Sequence, residues 1–264
     1  VPTSVTYPYN PFTGVRYWDL TGRWIYTVYQ DEWLGDGTGN KLGKRVSYYY
    51  DEASQGNLQY GNVTRVYEAA WDGSAWQPYR MQLSRFYPNV AKNMVAYPAI
   101  VYTYRCPPGW CQPGGNDVAV QNEMSLALNW YDGATNWWTP PVRGLVTTQK
   151  QKLTDNGQFR DTQYEYDAWG NLVKTIVYKQ PSASENSLPS GISQTTTTCY
   201  GASVSGQPNC PSDGYFTYPL KVINNLGQAT NIAYNYNLGV PISEIGPNGA
   251  ATTTTATYDG FGRL

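Results

Sequence analysis

One short phrase recurs along this chain of 264 residues. It is Tyr-Asp, two arbitrary residues, Gly, a polar residue and Leu. It stands as Tyr166-Asp167-Ala168-Trp169-Gly170-Asn171-Leu172 and again as Tyr258-Asp259-Gly260-Phe261-Gly262-Arg263-Leu264. Asp at the first corner and Gly at the fourth suit a type I turn. The carboxylate takes a nearby backbone N–H, and the Gly enters the left-handed region as the strand resumes. Tyr166 and Tyr258 are expected to cover the hairpin base, and Trp169 and Phe261 to fold back onto the sheet. Other glycines punctuate the same half of the chain: Gly157 in Asn-Gly, then Gly227, Gly239 and Gly249, spaced ten to thirteen residues apart up to Gly262. The segments between are Thr-, Val-, Ile- and Tyr-rich and of strand length, which predicts strand, tight turn, strand.

The composition agrees. Tyr (25), Trp (10), Gly (26) and Pro (18) are abundant, and only 14% of residues are charged, against ~25% in ordinary soluble domains. No window carries an apolar stripe at helical spacing. The nearest, Asn116–Trp130, reads equally well as a strand. The net charge of −1 and the absence of a basic stripe argue against a nucleic-acid partner. No apolar run reaches the ~20 residues of a bilayer-spanning helix.

Before residue 150 the phrase loosens. Tyr50-Asp51 is followed at a distance by Gly61-Asn62-Val63-Thr64, and Tyr131-Asp132 by Arg143-Gly144-Leu145-Val146-Thr147. Both read as the same unit with residues inserted at the turn. Segments 105–117 and 179–194 are loop-like by their Pro, Gly and Ser content, the second polar enough to be mobile. The chain divides into looser hairpins over 1–149 and regular ones over 150–264, with no clear domain boundary. Residues 1–10 echo residues 240–249, so the array is expected to begin and end inside a repeat.

Four cysteines fall in two close pairs, Cys106 with Cys111 and Cys199 with Cys210. Local pairing is the preferred reading of the three connectivities. A zinc site is the competing one, weakened by spacings unlike Cys-x2-Cys and by a chain without His. Disulfides imply secretion or the cell surface.

The phrase, with Gly61-Asn62-Val63-Thr64 and the run from Asn224 to Leu264, resembles the RHS, or YD-repeat, family. The resemblance is clear over 150–264 and loose over 1–149. It implies an all-β fold of antiparallel β-hairpin repeats forming a continuous, spiralling extended sheet. In bacterial RHS proteins, in B and C components of insecticidal toxin complexes and in animal teneurins, that sheet closes into a hollow shell. The bacterial toxin shells enclose a polypeptide. This chain is too short to close a shell alone. It has no Asp-Pro, so the family's self-cleavage is not carried over.

Without His there is no Ser-His-Asp or Cys-His nucleophile. Asp161, Glu165 and Asp167 cluster in sequence, but solvated strand carboxylates are the preferred reading over a glycosidase pair. Asp31, Asp36 and Asn40 among glycines are oxygen-rich, though a polar hairpin loop explains them better than calcium. Trp71, Trp76, Trp137 and Trp138 are candidates for stacking on glycans, against ordinary packing between hairpins. Asn62-Val63-Thr64 matches a glycosylation acceptor but belongs to the repeat phrase. No catalytic residue, metal or cofactor is expected.

The function expected is that of a non-enzymatic secreted scaffold. Its partners would be further repeats or copies of itself, an enclosed polypeptide, or surface glycans. A self-assembling filament or adhesin and a carbohydrate-binding module are the alternatives.

Overall fold

The computed structural model describes residues 15–17, 25–27, 29–35, 41–50, 60–107, 111, 122–153, 157–201, 210–211 and 214–264. Among these the chain is antiparallel β-sheet with two short 3-10 turns, Val90–Lys92 and Gly249–Thr252, and no α-helix. The two strands β1 (Val15–Tyr17) and β2 (Ile25–Thr27) pair with each other. The other fourteen described strands form one sheet whose order follows the chain without a crossover. They begin with β3 (Tyr29–Gly35), β4 (Lys41–Tyr50), β5 (Val63–Trp71), β6 (Trp76–Phe86), β7 (Pro98–Arg105) and β8 (Glu123–Tyr131). They continue with β9 (Val146–Lys152), β10 (Phe159–Tyr166), β11 (Leu172–Tyr178), β12 (Ser193–Cys199), β13 (Lys221–Ile223), β14 (Ala229–Asn235), β15 (Val240–Ile245) and β16 (Thr253–Thr255). Short turns dictate this pairing at β5–β6, β10–β11, β13–β14 and β14–β15, because so short a loop can only return the chain beside the strand it left; longer connections, as between β12 and β13, keep the same order.

The segment Asn116–Trp130 resolves in favour of a strand over its described part, β8. Its apolar residues alternate: Leu126, Leu128 and Trp130 are buried, with partly exposed neighbours between. A period of two is the signature of a strand with one covered face.

The chain forms two compact units, residues 1–129 with 136–144, and residues 130–135 with 145–264. In the first, the core is a row across three strands. Tyr67 pairs with Met81, and Met81 with Tyr104. Leu83 and the disulfide partners Cys106 and Cys111 complete the buried cluster, and Tyr49 and Tyr102 pack against it. The Tyr49 and Tyr67 rings meet edge to face at 5.3 Å. On the opposite face, Glu68 accepts from Tyr79 and Arg80. In the second unit Trp130, Phe159, Val173, Cys199 and Ile223 are buried.

Candidate functional site

The recurrent phrase folds into one repeated hairpin turn. In the turn after β10, Asp167 Oδ1 accepts from the backbone N–H groups of Trp169 (3.0 Å) and Asn171 (2.8 Å). The Asp167 carbonyl accepts from Gly170 N–H, and Asp167 N–H donates to the Asn171 carbonyl. Gly170 has φ +93°, a left-handed conformation that a Cβ penalises. The Asn171 side chain returns to Asp167 Oδ2 at 2.9 Å. At Asp259 the pattern repeats. Phe261 and Arg263 N–H groups donate to Oδ1 at 2.9 and 3.0 Å, and the Arg263 side chain reaches Oδ2 through Nε at 2.7 Å. The N–H and guanidinium of Arg263 hold the Asp259 carboxyl below the usual carboxylate range. A third copy, in which Asn replaces Asp, lies at Asn224. Its Oδ1 accepts from Leu226 and Gln228, and its Nδ2 donates to Gln228 Oε1 at 2.7 Å. The rule is therefore wider than Tyr-Asp: Asx, two residues, Gly, then a polar side chain that ties back to the Asx.

The looser units close in the same way. Asp132 N–H donates to the Leu145 carbonyl, and Leu145 N–H donates to Asp132 Oδ1 at 3.0 Å. Residues 133–143 are thus an insertion into an otherwise intact turn, with Gly144 left-handed at φ +79°. Gly61, at φ +75°, corresponds to Gly170. Tyr50 pairs with Val63 across a β-bulge, as Tyr166 pairs with Leu172. The hydroxyl of Thr64 donates to the Tyr49 carbonyl and that of Thr147 to the Trp130 carbonyl. Asp51 itself lies outside the described residues, as do Asp36, Asn40 and Asn156.

The two middle aromatics do not fold onto the sheet. Phe261 is exposed and lies beside the Arg263 guanidinium. Trp169 is exposed on one face and stacks on Phe216 with the other, at 4.0 Å and 10°. Neither position of the turn faces a strand, so the rings find loop or cationic neighbours instead. Tyr166 and Tyr258 are half-buried, and the Tyr166 hydroxyl donates to the Val146 carbonyl at 2.9 Å.

Segment 214–218 works as a clamp of rings. Phe216 stacks on Trp169 and Tyr218 on Tyr234 at 4.7 Å, while Tyr215 lies tilted against Tyr236 at 4.6 Å. The Asn171 carboxamide donates to the Phe216 carbonyl at 2.9 Å. In the first unit, Asn62 occupies the corresponding place and donates to the Val95 carbonyl at 2.7 Å. Asn62 is nearly buried, which removes its amide from a glycosylating enzyme and assigns it to the hairpin.

The tryptophan candidates fall into two groups. Trp71 and Trp76 face each other at the end of the β5–β6 hairpin. With Trp33 they form an edge-to-face cluster, centroids 5.1 to 5.9 Å apart. The cluster sits over Gly43, where a Cβ would lie 2.7 Å from Trp76 and 2.8 Å from Trp33. Arg45 lies over the Trp76 ring at 4.5 Å while bonding Asp31 through two nitrogens. Trp137 meets Tyr87 and Trp138 edge to face. Each of these indoles is thus engaged with another ring, though Trp138 is 45% exposed and Trp33 47%.

The carboxylates considered for catalysis do not converge. Asp167 is tied into its turn, Glu165 pairs with Lys174 at 3.1 Å, and Asp161 is fully buried against Lys150 at 2.8 Å. The disulfides are Cys106–Cys111 and Cys199–Cys210, so no thiolate is left for a metal. Two disulfides fit an oxidising compartment, extracellular or periplasmic.

One cluster escaped sequence reasoning. Lys150 Nζ donates to Asp161 Oδ1, Ser182 Oγ and the Ser187 carbonyl, each at 2.8 Å. It lies 5.2 and 5.8 Å from the ring centroids of Trp130 and Phe159. The same contacts, with a β-bridge between Phe159 and Ser182, hold the polar segment after β11 to the sheet. A signal was present: β9 alternates, and its buried face reads Thr148, Lys150.

No family model matches the chain, and no curated protein matches it. Among solved structures, a porin-like protein from Bacteroides uniformis is similar over 97% of this chain and 94% of that one, at 9% identity and a TM-score of 0.26. A likeness at that level carries no argument.

Proposed function

We propose that this chain is a non-enzymatic secreted scaffold of the RHS/YD-repeat kind, whose hairpins wind into a spiralling wall that encloses a polypeptide or stands at the cell surface. The observation that supports it is the turn. The same closure recurs at Asp132, Asp167, Asn224 and Asp259, with strands paired in chain order. A chain that spends its polar side chains on closing hairpins is investing in backbone register, each bond contributing roughly 0.5–1.5 kcal/mol. The carboxylates that a glycosidase would need are committed to separate ion pairs and turns, which favours the scaffold over an enzyme. The partners of such a wall are further repeats, other copies of the chain and the enclosed polypeptide.

Electron microscopy of the natural gene product at full length tests this reading. Hollow particles or regular filaments are expected; isolated small globules at every concentration would overturn it. The carbohydrate-binding alternative predicts quenching of Trp emission by a glycan, and a flat titration across a glycan panel removes it.

A further inference from the structure

Lys150 and Asp161 are directly opposite in the register of β9 and β10. Both are sealed from solvent, at 0% exposure. Lys150 Nζ and Ser182 Oγ both contact Asp161 Oδ1, at 2.8 and 3.2 Å, and the Ser182 hydroxyl lies 2.8 Å from Nζ. The other carboxylate oxygen, Oδ2, is buried with no hydrogen-bond partner among the described residues. Trp130 and Phe159 wall the amine.

We propose that Lys150 and Asp161 condense into an intramolecular amide, a covalent cross-link between β9 and β10. Removing two charges from water is costly, and moving one proton from ammonium to carboxylate cancels both at once. Burial among the rings pushes the Lys150 amine down from its ordinary value, against the pull of Asp161. In the neutral pair, the amine lone pair attacks Asp161 Cγ and a C–N bond forms. The bond from Cγ to its hydroxyl oxygen breaks, and that hydroxyl leaves with one nitrogen proton as water. Atoms balance, and no oxidant, reductant or cofactor is consumed. Ser182 touches both nitrogen and oxygen, so its hydroxyl is placed to relay the proton. Holding the reacting groups together is the main driving factor; effective molarities of roughly 10⁵–10⁸ M are reached by well-oriented pairs. The product replaces two buried charges with one neutral amide. No external substrate competes, because neither side chain has accessible surface.

Intact mass spectrometry of the folded full chain, with its disulfides reduced before measurement, tests this. The chain is expected to be lighter than its sequence by one water. Digestion is expected to yield a branched peptide joining the stretches that carry Lys150 and Asp161, with no tryptic cleavage after Lys150. Lys150→Arg and Asp161→Ala chains are expected at full mass even if they fold poorly, since the wild-type measurement stands without them. A folded wild-type chain that keeps its full sequence mass after prolonged incubation overturns the proposal. So does a water deficit located on one linear peptide, such as a succinimide at an Asp-Gly step.

Discussion

At the scale of single residues, the left-handed glycines differ in what surrounds them. Gly73 and Gly144 both have positive φ, so alanine strains the backbone at either. At Gly73 a Cβ meets nothing within 4 Å, whereas at Gly144 it overlaps the Tyr97 ring. Gly73→Ala is therefore expected to cost about 1–2 kcal/mol, and Gly144→Ala at least a further ~1 kcal/mol from overpacking, read as the shift in denaturant midpoint. Equal losses would mean that Tyr97 moves aside freely. Asp167 poses a sharper test, since its carboxylate accepts two backbone N–H groups and an Asn carboxamide. Asp167→Ala is expected to lower stability by roughly 1–2 kcal/mol, as loss of a side-chain cap does. Asp167→Asn is expected to recover most of it, because Asn224 closes the same turn with an amide oxygen. An asparagine variant as unstable as the alanine one would contradict the equivalence of the two turns.

At the scale of elements, hairpins were legible because their cues are local. Gly157, Gly170, Gly227, Gly239, Gly249 and Gly262, singled out by turn phrase and spacing, all have positive φ. Gly170, Gly227 and Gly239 sit in the turns that join paired strands, Gly249 opens a 3-10 turn, and Gly262 closes a turn beyond the last strand. The insertion after Asp132 was legible too, since Tyr-Asp and Gly-Leu-Val-Thr bracket it. What was not legible is contact between distant elements. Nothing local tells Trp169 that Phe216 will stack on it, or Lys150 that Ser182 and Ser187 will come to its amine; those meetings depend on where whole loops return. The ring clamp at 214–218 makes this testable. Phe216 itself has φ +54°, an uncommon conformation for a bulky residue, so the stacking must outweigh that strain. A double-mutant cycle on Trp169→Ala and Phe216→Ala is expected to show coupling of about 0.5–1.5 kcal/mol. Additive effects would mean that the rings merely lie near each other.

For the whole molecule, tyrosine ionisation sets the alkaline limit of stability. Burial raises the hydroxyls of Tyr79, Tyr104, Tyr166, Tyr178, Tyr200 and Tyr234 above their ordinary value of 10.0. With the folded value above the unfolded one, the folded state keeps its protons while the unfolded state loses them. Their contribution is complete below pH ~10 and is lost as pH rises through the folded values. Denaturant midpoints are expected to fall steadily above pH ~10. A midpoint that stays level above pH ~10 would overturn this.

The turn at Asp132 has one consequence for use. Asp132 and Leu145 close it directly, and Gly133 and Ala134 add bonds from their N–H groups to Thr147 Oγ1 and the Tyr131 carbonyl. The hairpin therefore tolerates a passenger at its tip. A foreign peptide exchanged for residues 135–141 would be displayed between two fixed anchors, its ends already brought together, provided that the ring of Tyr87, now covered by Trp137, is given another lid.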